Sequence, residues 1–98
     1  MAETVFRRIP VMFSAGYDNF ISAERVAAIS GNPSAAPAKK YIAALKTESP
    51  FRLIDFTNGN AVQSIIYMAD GSAVLSAVSS KTLAQRYAAA ASGQDGKE

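Results

Sequence analysis

The sequence contains neither histidine nor cysteine, which leaves the acidic and cationic side chains as the first candidates for chemistry. The usual general base at neutral pH is therefore absent, as are serine–histidine and cysteine–histidine pairs. Asp55, predicted to lie within a strand, could be a general acid or a metal ligand. The sequence spacing of four other acidic residues does not indicate that they cluster around Asp55: Asp18, Glu24, Glu48 and Asp70. We expect no enzyme activity, no metal and no cofactor.

Cationic side chains at two places could instead bind phosphate. The guanidinium of Arg25 fits a phosphate through two parallel charge-assisted hydrogen bonds. The alternative is a turn arginine paired with Glu24 or with solvent. Lys39 and Lys40 lie at the predicted start of a helix, where adjacent cations oppose the helix dipole unless an anion lies nearby. The alternative is a solvated lysine face.

The overall charge is only weakly basic, with a net charge of +2 and a pI of about 9.1. A dedicated nucleic-acid binder usually has a stronger or clearly clustered positive face. Arg52 precedes a predicted strand and Arg7–Arg8 could form a basic arm, although both could serve solubility alone. In an oligomer the small charge of each subunit would add up along one surface, so the net charge neither supports nor excludes nucleic acid.

The length of 98 residues predicts a single domain, which we place at residues 1–91, followed by a flexible polar tail at 92–98. An apolar fraction of 49% with 18% charged residues is typical of a globular protein. A core this small often gains stability from oligomer contacts. The longest apolar run is far below the roughly 18 residues of a membrane span. We expect a cytoplasmic protein.

The hydrophobic pattern predicts an α+β fold with a small, mainly antiparallel sheet and two helices. The first strand is expected within residues 4–13, a turn follows at residues 16–19, and residues 20–29, interrupted at 23–25, form two short strands. Ser34 is the expected N-cap of a helix that ends before Pro50. Its apolar stripe contains four residues at helical spacing: Ala38, Tyr41, Ile42 and Leu45.

The second half of the sequence predicts a three-stranded meander and a final helix. Its strands are 51–57, 61–68 and 73–78, joined by hairpin turns at Asn58–Gly59 and Asp70–Gly71. Ser79 or Ser80 is the expected cap of a helix that runs to about Ala91. We expect both helices on one sheet face and a neighbouring subunit on the other.

Four short stretches together resemble the RemA family of bacterial regulators of extracellular-matrix genes. They are GYDNFISAERV at 16–26, PAKK at 37–40, LIDFTNG at 53–59, and VLSAV with TLAQR at 74–78 and 82–86. The family reads G-F-G-N-x-V-S-x-x-R-I, S-A-P-x-K-R, L-I-D-A-T-Y-G-R-R-T-R, and V-I-L-S-A-V with T-V-A-Q-R. The resemblance covers roughly residues 11–87. It implies a ring-like homo-oligomer that regulates transcription by presenting basic residues to DNA.

This chain departs from the family at the arginine-rich segment, which the resemblance makes the principal DNA-binding element. Asn60 and Ala61 replace the adjacent arginines, Gln63 replaces the third, and Asn58 replaces the tyrosine. Each lost phosphate contact removes one counterion-release contribution to affinity. Asn58, Asn60 and Gln63 could still hydrogen-bond phosphates or adenine edges, without long-range attraction.

We therefore expect a RemA-like homo-oligomeric DNA-binding regulator of the biofilm type, which contacts the backbone of double-stranded DNA. Its expected contacts are Arg25, Lys39, Lys40, Arg52, Asn58, Asn60 and Gln63. The expected oligomer interface contains Gln85 and Arg86 of the last helix and Asp55, which could pair with an arginine across it or accept local hydrogen bonds. The alternative is a structural or protein-interaction homo-oligomer that has lost DNA binding.

Overall fold

The computed structural model describes residues 11–96 of the chain. These residues form two sheets and two helices, which is the α+β class expected from the sequence. The strands are β1 (Met12–Gly16), β2 (Asn19–Ser22), β3 (Val26–Ser30), β4 (Leu53–Asp55), β5 (Ser64–Met68) and β6 (Ala73–Ser76). The helices are α1 (Ala36–Glu48) and α2 (Ser80–Gly96), and short 3-10 turns occupy Ala23–Arg25 and Pro50–Arg52.

Strands β1 and β2 form an antiparallel hairpin around the predicted turn. β1 continues to Gly16, beyond the predicted end at Phe13, and residues 4–10 of the predicted strand lie outside the described residues. Tyr17 and Asp18 both adopt positive φ, at 52° and 62°. The side-chain amide of Asn19 holds this tight turn by donating to the carbonyl oxygens of Gly16 and Tyr17. The predicted break between two short strands in residues 20–29 is also confirmed, because the Ala23–Arg25 turn separates β2 from β3.

The four-stranded sheet has the order β3-β5-β6-β4, which corrects the predicted meander. β4 runs parallel to β6 and does not pair with β5, so residues 56–63 form a crossing connection and no β-hairpin. β5 pairs with β3 on one edge and with β6 on the other, so β5 has no edge left with which β4 could pair. Asn58 and Gly59 do adopt the positive φ expected of them, at 56° and 85°.

The two helices cover opposite faces of this sheet, contrary to the prediction that both share one face. Ile66 and Val74 face α2 and the β1–β2 hairpin, in a core that also contains Phe13, Ala15, Ile21 and Leu83. Ile65 and Ala73 face α1, where Ala38 and Leu45 are buried. Adjacent residues of a strand point to opposite faces, and both Ile65 and Ile66 are fully buried. Each face therefore needs its own cover.

The structure corrects the predicted start of α1 and the predicted end of α2, and it selects Ser79 from the two expected caps of α2. The N-cap of α1 is Ala35 rather than Ser34, and it provides no side-chain hydrogen bond to the first turn. At α2 the cap is Ser79, whose hydroxyl oxygen accepts the amide of Thr82 at 3.2 Å. α2 continues to Gly96, beyond the predicted end at Ala91 and into the residues predicted as a tail.

Candidate nucleic-acid interface

The four-stranded sheet has two ends with different chemistry. The pair Tyr67–Ala73 lies at one end of the β5–β6 ladder and Ser64–Ser76 at the other. At about 3.4 Å per residue, the three steps from Ser64 to Tyr67 along β5 separate these ends by about 10 Å. We call the first the arginine end, defined by Arg25, Arg52 and the Asp70–Gly71 turn. The second is the loop end, defined by residues 56–63 and the β1–β2 turn.

At the arginine end, two of the predicted DNA-contacting arginines converge on one turn. Arg52 closes the Pro50–Arg52 turn, and its Nη1 donates to the carbonyl oxygen of Asp70 at 2.5 Å. Arg25 closes the Ala23–Arg25 turn, and its carbonyl oxygen accepts the amide of Ala69 at 2.7 Å. Both side chains interact electrostatically with the Asp70 carboxylate. The sequence places these two arginines far apart, and the fold brings them together.

The acidic residue of this turn is held in its charged form. The backbone amide of Ser72 donates to Oδ1 of Asp70 at 2.9 Å. The amide and the hydroxyl of Ser72 lower the pKa of Asp70, and the positive charges of Arg52 and Arg25 lower it further. At neutral pH Asp70 is therefore an anion that interacts with both cations. Because Glu24 lies in the same turn as Arg25, the formal charges of the two arginines and the two acidic residues cancel at this end.

Helix α1 is attached to the same turn. The hydroxyl of Tyr41 donates to the carbonyl oxygen of Gly71, and the Tyr41 ring packs edge-on against Tyr67 at 5.5 Å between centroids. Lys39 and Lys40 precede Tyr41 directly in α1, and both are exposed. Lys39 and Lys40 thus lie on a helix that Tyr41 fixes to the arginine end.

The polar candidates of residues 58–63 lie at the loop end. Asn58 and Gln63 are exposed, and the backbone amide of Gln63 donates to the carbonyl oxygen of Ser76 at 2.8 Å. The side-chain amide of Asn60 donates to the Tyr17 hydroxyl at 2.5 Å and to the carbonyl oxygen of Thr57 at 3.1 Å. An amide group has two hydrogens to donate, so Asn60 has none left for a phosphate in this arrangement.

The predicted interface residues make contacts within the chain. Nη1 of Arg86 donates to the carbonyl oxygen of Ser14 at 3.1 Å and thus attaches α2 to β1, while Gln85 is exposed beside it. Oδ1 of Asp55 accepts the hydroxyl and the amide of Thr57 at 2.6 and 2.8 Å, which lowers the pKa of Asp55. Asp55 thus accepts local hydrogen bonds, one of the two roles expected for it. The part of these residues in an oligomer stays a prediction.

Two further observations limit what the described residues can do. Within residues 11–92, no three acidic side chains gather closely enough to hold a metal ion. Neither α1 nor α2 combines the length and the apolarity that a membrane crossing requires. The Arg7–Arg8 arm lies outside the described residues.

Comparison with known proteins identifies the class. A family model described as RemA-like, extracellular matrix regulatory protein A-like, matches residues 12–87. A relative from Desulfatibacillum aliphaticivorans is 40% identical over 80 residues, which cover 80% of this chain and 84% of the relative. A relative from Nitratidesulfovibrio vulgaris is 37% identical over 76 residues, covering 78% and 83%. One from Bacillus cytotoxicus is 37% identical over 71 residues, covering 72% and 78%.

All three relatives carry the name "Putative regulatory protein". The fold, the family match and these names together define a small α+β regulatory protein. The chain belongs to the RemA-like family, which confirms the resemblance seen in its sequence.

Proposed function

We propose that this protein is a cytoplasmic, non-enzymatic homo-oligomer that regulates transcription by binding the backbone of double-stranded DNA. Its expected targets are genes of the extracellular matrix. The observation that carries the proposal is the convergence of Arg25 and Arg52 on the Asp70–Gly71 turn. Two guanidinium groups at one turn offer two groups of donors that fit phosphate, and repetition of this end around an oligomer would multiply these contacts.

The arginine end supplies the backbone contacts in this proposal. Arg25 and Arg52 bind phosphates, and the exposed Lys39 and Lys40 of α1 add attraction. Asn58 and Gln63 could add hydrogen bonds where DNA reaches the loop end. Phosphate contacts fix register without reading sequence, so sequence preference would come mainly from the shape of the DNA.

The second candidate is a structural or protein-interaction homo-oligomer without DNA binding. It is favoured by the loop end, where family arginines are replaced and Asn60 uses its amide hydrogens inside the chain. It is also favoured by Asp70, which offsets part of the charge of Arg25 and Arg52. Both candidates predict an oligomer, and only the first predicts retardation of DNA.

A mobility-shift titration of duplex DNA at several salt concentrations separates the two candidates, with light scattering on the same samples. The regulator should retard DNA at low salt. Arg25→Ala should make the negative slope of log affinity against log salt shallower by about 0.9. Lys81→Ala removes an exposed charge from the first turn of α2, which follows the Ser76 end of β6, and should leave the slope nearly unchanged. An oligomer that retards no DNA at low salt supports the second candidate, and a monomer at high concentration overturns both.

A further inference from the structure

A cleft of about 230 Å³ opens at the arginine end, between β2 and the sheet face that carries Ile66 and Val74. Its walls are mostly apolar: Phe20, Ile21, Ile54, Phe56, Met68 and Val74. Val74 and Ile21 belong to the core behind the cleft, whereas Phe20 at the rim remains 55% exposed. An aromatic ring left half in water beside an apolar cavity marks a place where an apolar group of another molecule gains by binding.

The size of the cleft limits what it can hold. Sites for drug-sized ligands usually enclose about 300–1,000 Å³. At about 230 Å³ this cleft is smaller, and suits a ligand with one aromatic ring or a short alkyl chain. The side chains of Phe20, Phe56 and Met68 in the lining are of the kinds that make favourable contacts with such a group.

The polar residues of the lining favour an anionic head group. They are Ser22, Arg25, Asp70 and Ser72. The carboxylate of Asp70 already accepts hydrogen bonds from Ser72, and its turn carbonyl accepts Nη1 of Arg52. The guanidinium of Arg25 is therefore the cationic donor of the lining, and no other lining residue carries a positive charge. A carboxylate matches a guanidinium through two parallel hydrogen bonds.

We propose that this cleft binds a small carboxylate with an apolar body, whose carboxylate lies against Arg25 and whose ring or short chain lies between Phe20, Phe56 and Val74. The chemical class is an aromatic or short-chain monocarboxylate. Such a ligand would bind the side chain of Arg25, which the proposed DNA contact also uses. Binding of the ligand to the cleft does not depend on DNA binding.

The test uses benzoate and its neutral analogue benzamide as probes of the full-length protein. Nuclear magnetic resonance of methyl-labelled methionine follows the Met68 methyl signal, and calorimetry gives the affinity. Benzoate should shift the Met68 signal and bind at least about tenfold more tightly than benzamide, because a charge-assisted hydrogen bond is stronger than a neutral one. Hexanoate should bind at the same place and hexanamide more weakly.

Three variants locate the binding. Arg25→Gln should reduce the affinity for benzoate about tenfold and leave that for benzamide unchanged. Ser22→Phe, which places a ring in the cleft from the end of β2, should abolish binding of both probes. Lys81→Gln removes an exposed charge outside the cleft and should change neither affinity. Circular dichroism and cooperative melting establish that each variant folds.

Several outcomes would overturn the proposal. One is equal affinity for benzoate and benzamide, and another is a Met68 signal that benzoate does not move. A third is the same loss of benzoate affinity in Lys81→Gln as in Arg25→Gln. If benzoate does not bind and Ser22→Phe lowers the particle mass in light scattering, the cleft is occupied by a second copy of the chain. Because no DNA is present, none of these results depends on the proposed function.

Discussion

The arginine end and the loop end of one small sheet are held together in different ways. At the arginine end the contacts involve charged side chains near the surface, with Arg52 on the Asp70 carbonyl and Arg25 beside the Asp70 carboxylate. At the loop end the contacts are mostly neutral and more deeply placed. The hydroxyl of Ser76, fully buried, donates to the carbonyl oxygen of Ala15 at 2.9 Å, and that of Ser64 donates to the carbonyl oxygen of Val78 at 2.5 Å.

This difference separates stability from binding. Neutral buried hydrogen bonds cannot be exchanged for bonds to a ligand without leaving a buried group unpaired, which costs more than a typical bond contributes. Exposed guanidinium groups can change partners at little cost, because water and a phosphate both satisfy them. The loop end is thus suited to hold the β1–β2 hairpin on the sheet, and the arginine end is suited to contact another molecule.

The largest effect that tests this division is on stability at the loop end. Ser76→Ala removes the donor to the Ala15 carbonyl and the acceptor for the Val78 amide, so two groups lose a partner near the core. We expect the free energy of unfolding to fall by about 2 kcal/mol. Denaturant titration measures it.

The control for that variant is Ser34→Ala, an exposed serine that precedes the actual N-cap Ala35. It should change the free energy of unfolding by less than about 0.5 kcal/mol. Equal effects of the two substitutions would contradict the structural role of Ser76. A loss of about 1 kcal/mol in Ser34→Ala would instead indicate that Ser34 caps α1 after all.

A gain of charge at the loop end tests the binding half of the comparison. Ala61→Arg combined with Gln63→Arg returns two arginines to exposed positions and leaves the internal bonds of Asn60 intact. If DNA passes the loop end, the slope of log affinity against log salt should steepen by about 1.8 and affinity at low salt should rise about tenfold. A salt series of mobility shifts measures both quantities.

The matched control carries the same added charge on α2. Ala84→Arg with Ala88→Arg places two arginines one helical turn apart at exposed positions. A smaller gain from this pair than from positions 61 and 63 would mean that DNA reaches the loop end. An equal gain from both pairs would mean that added net charge alone accounts for the change, and the loop end would then have no special relation to DNA.

The fold class and several elements could be predicted from local patterns, but strand order could not. The turn at residues 16–19, the apolar stripe of α1 and Ser79 as the cap of α2 follow from short-range chemistry. Asn58–Gly59 also adopts the backbone that its residue types favour, yet it joins no hairpin. Which strand occupies which edge depends on contacts between distant segments, here the pairing of β3 with β5.

The two-sided burial of the sheet did leave a signal in the sequence. Ile65 and Ile66 are adjacent apolar residues in a strand, a pattern typical of strands that are covered on both faces. It would have placed the helices on opposite faces. No sequence signal joins Arg25 to Arg52, because they meet only through the Asp70–Gly71 turn. The apolar cleft beside them was equally hidden, since its walls come from β2, β4, β5 and β6.

The smallest expected effect distinguishes the two ends by their response to acid and salt. Asp70 and Asp55 both have a pKa lowered in the folded state, Asp70 mainly by Ser72 and Asp55 by Thr57. A carboxylate whose pKa is lower in the folded state contributes stability above its unfolded pKa, near about 4, and loses it as pH falls through the folded pKa. Stability should therefore decline between about pH 5 and pH 2.

Salt should separate the two contributions, because Asp70 also interacts with Arg52 and Arg25 whereas the pKa of Asp55 depends on hydrogen bonds from Thr57. Charge interactions at the surface are screened at high ionic strength, and short hydrogen bonds are affected much less. Denaturant titrations from pH 5 to pH 2, at low and at high salt, should show that Asp70→Asn removes a salt-sensitive part of the acid dependence. Asp55→Asn should remove a part that salt leaves unchanged. The reverse assignment would mean that the arginines do not act on Asp70.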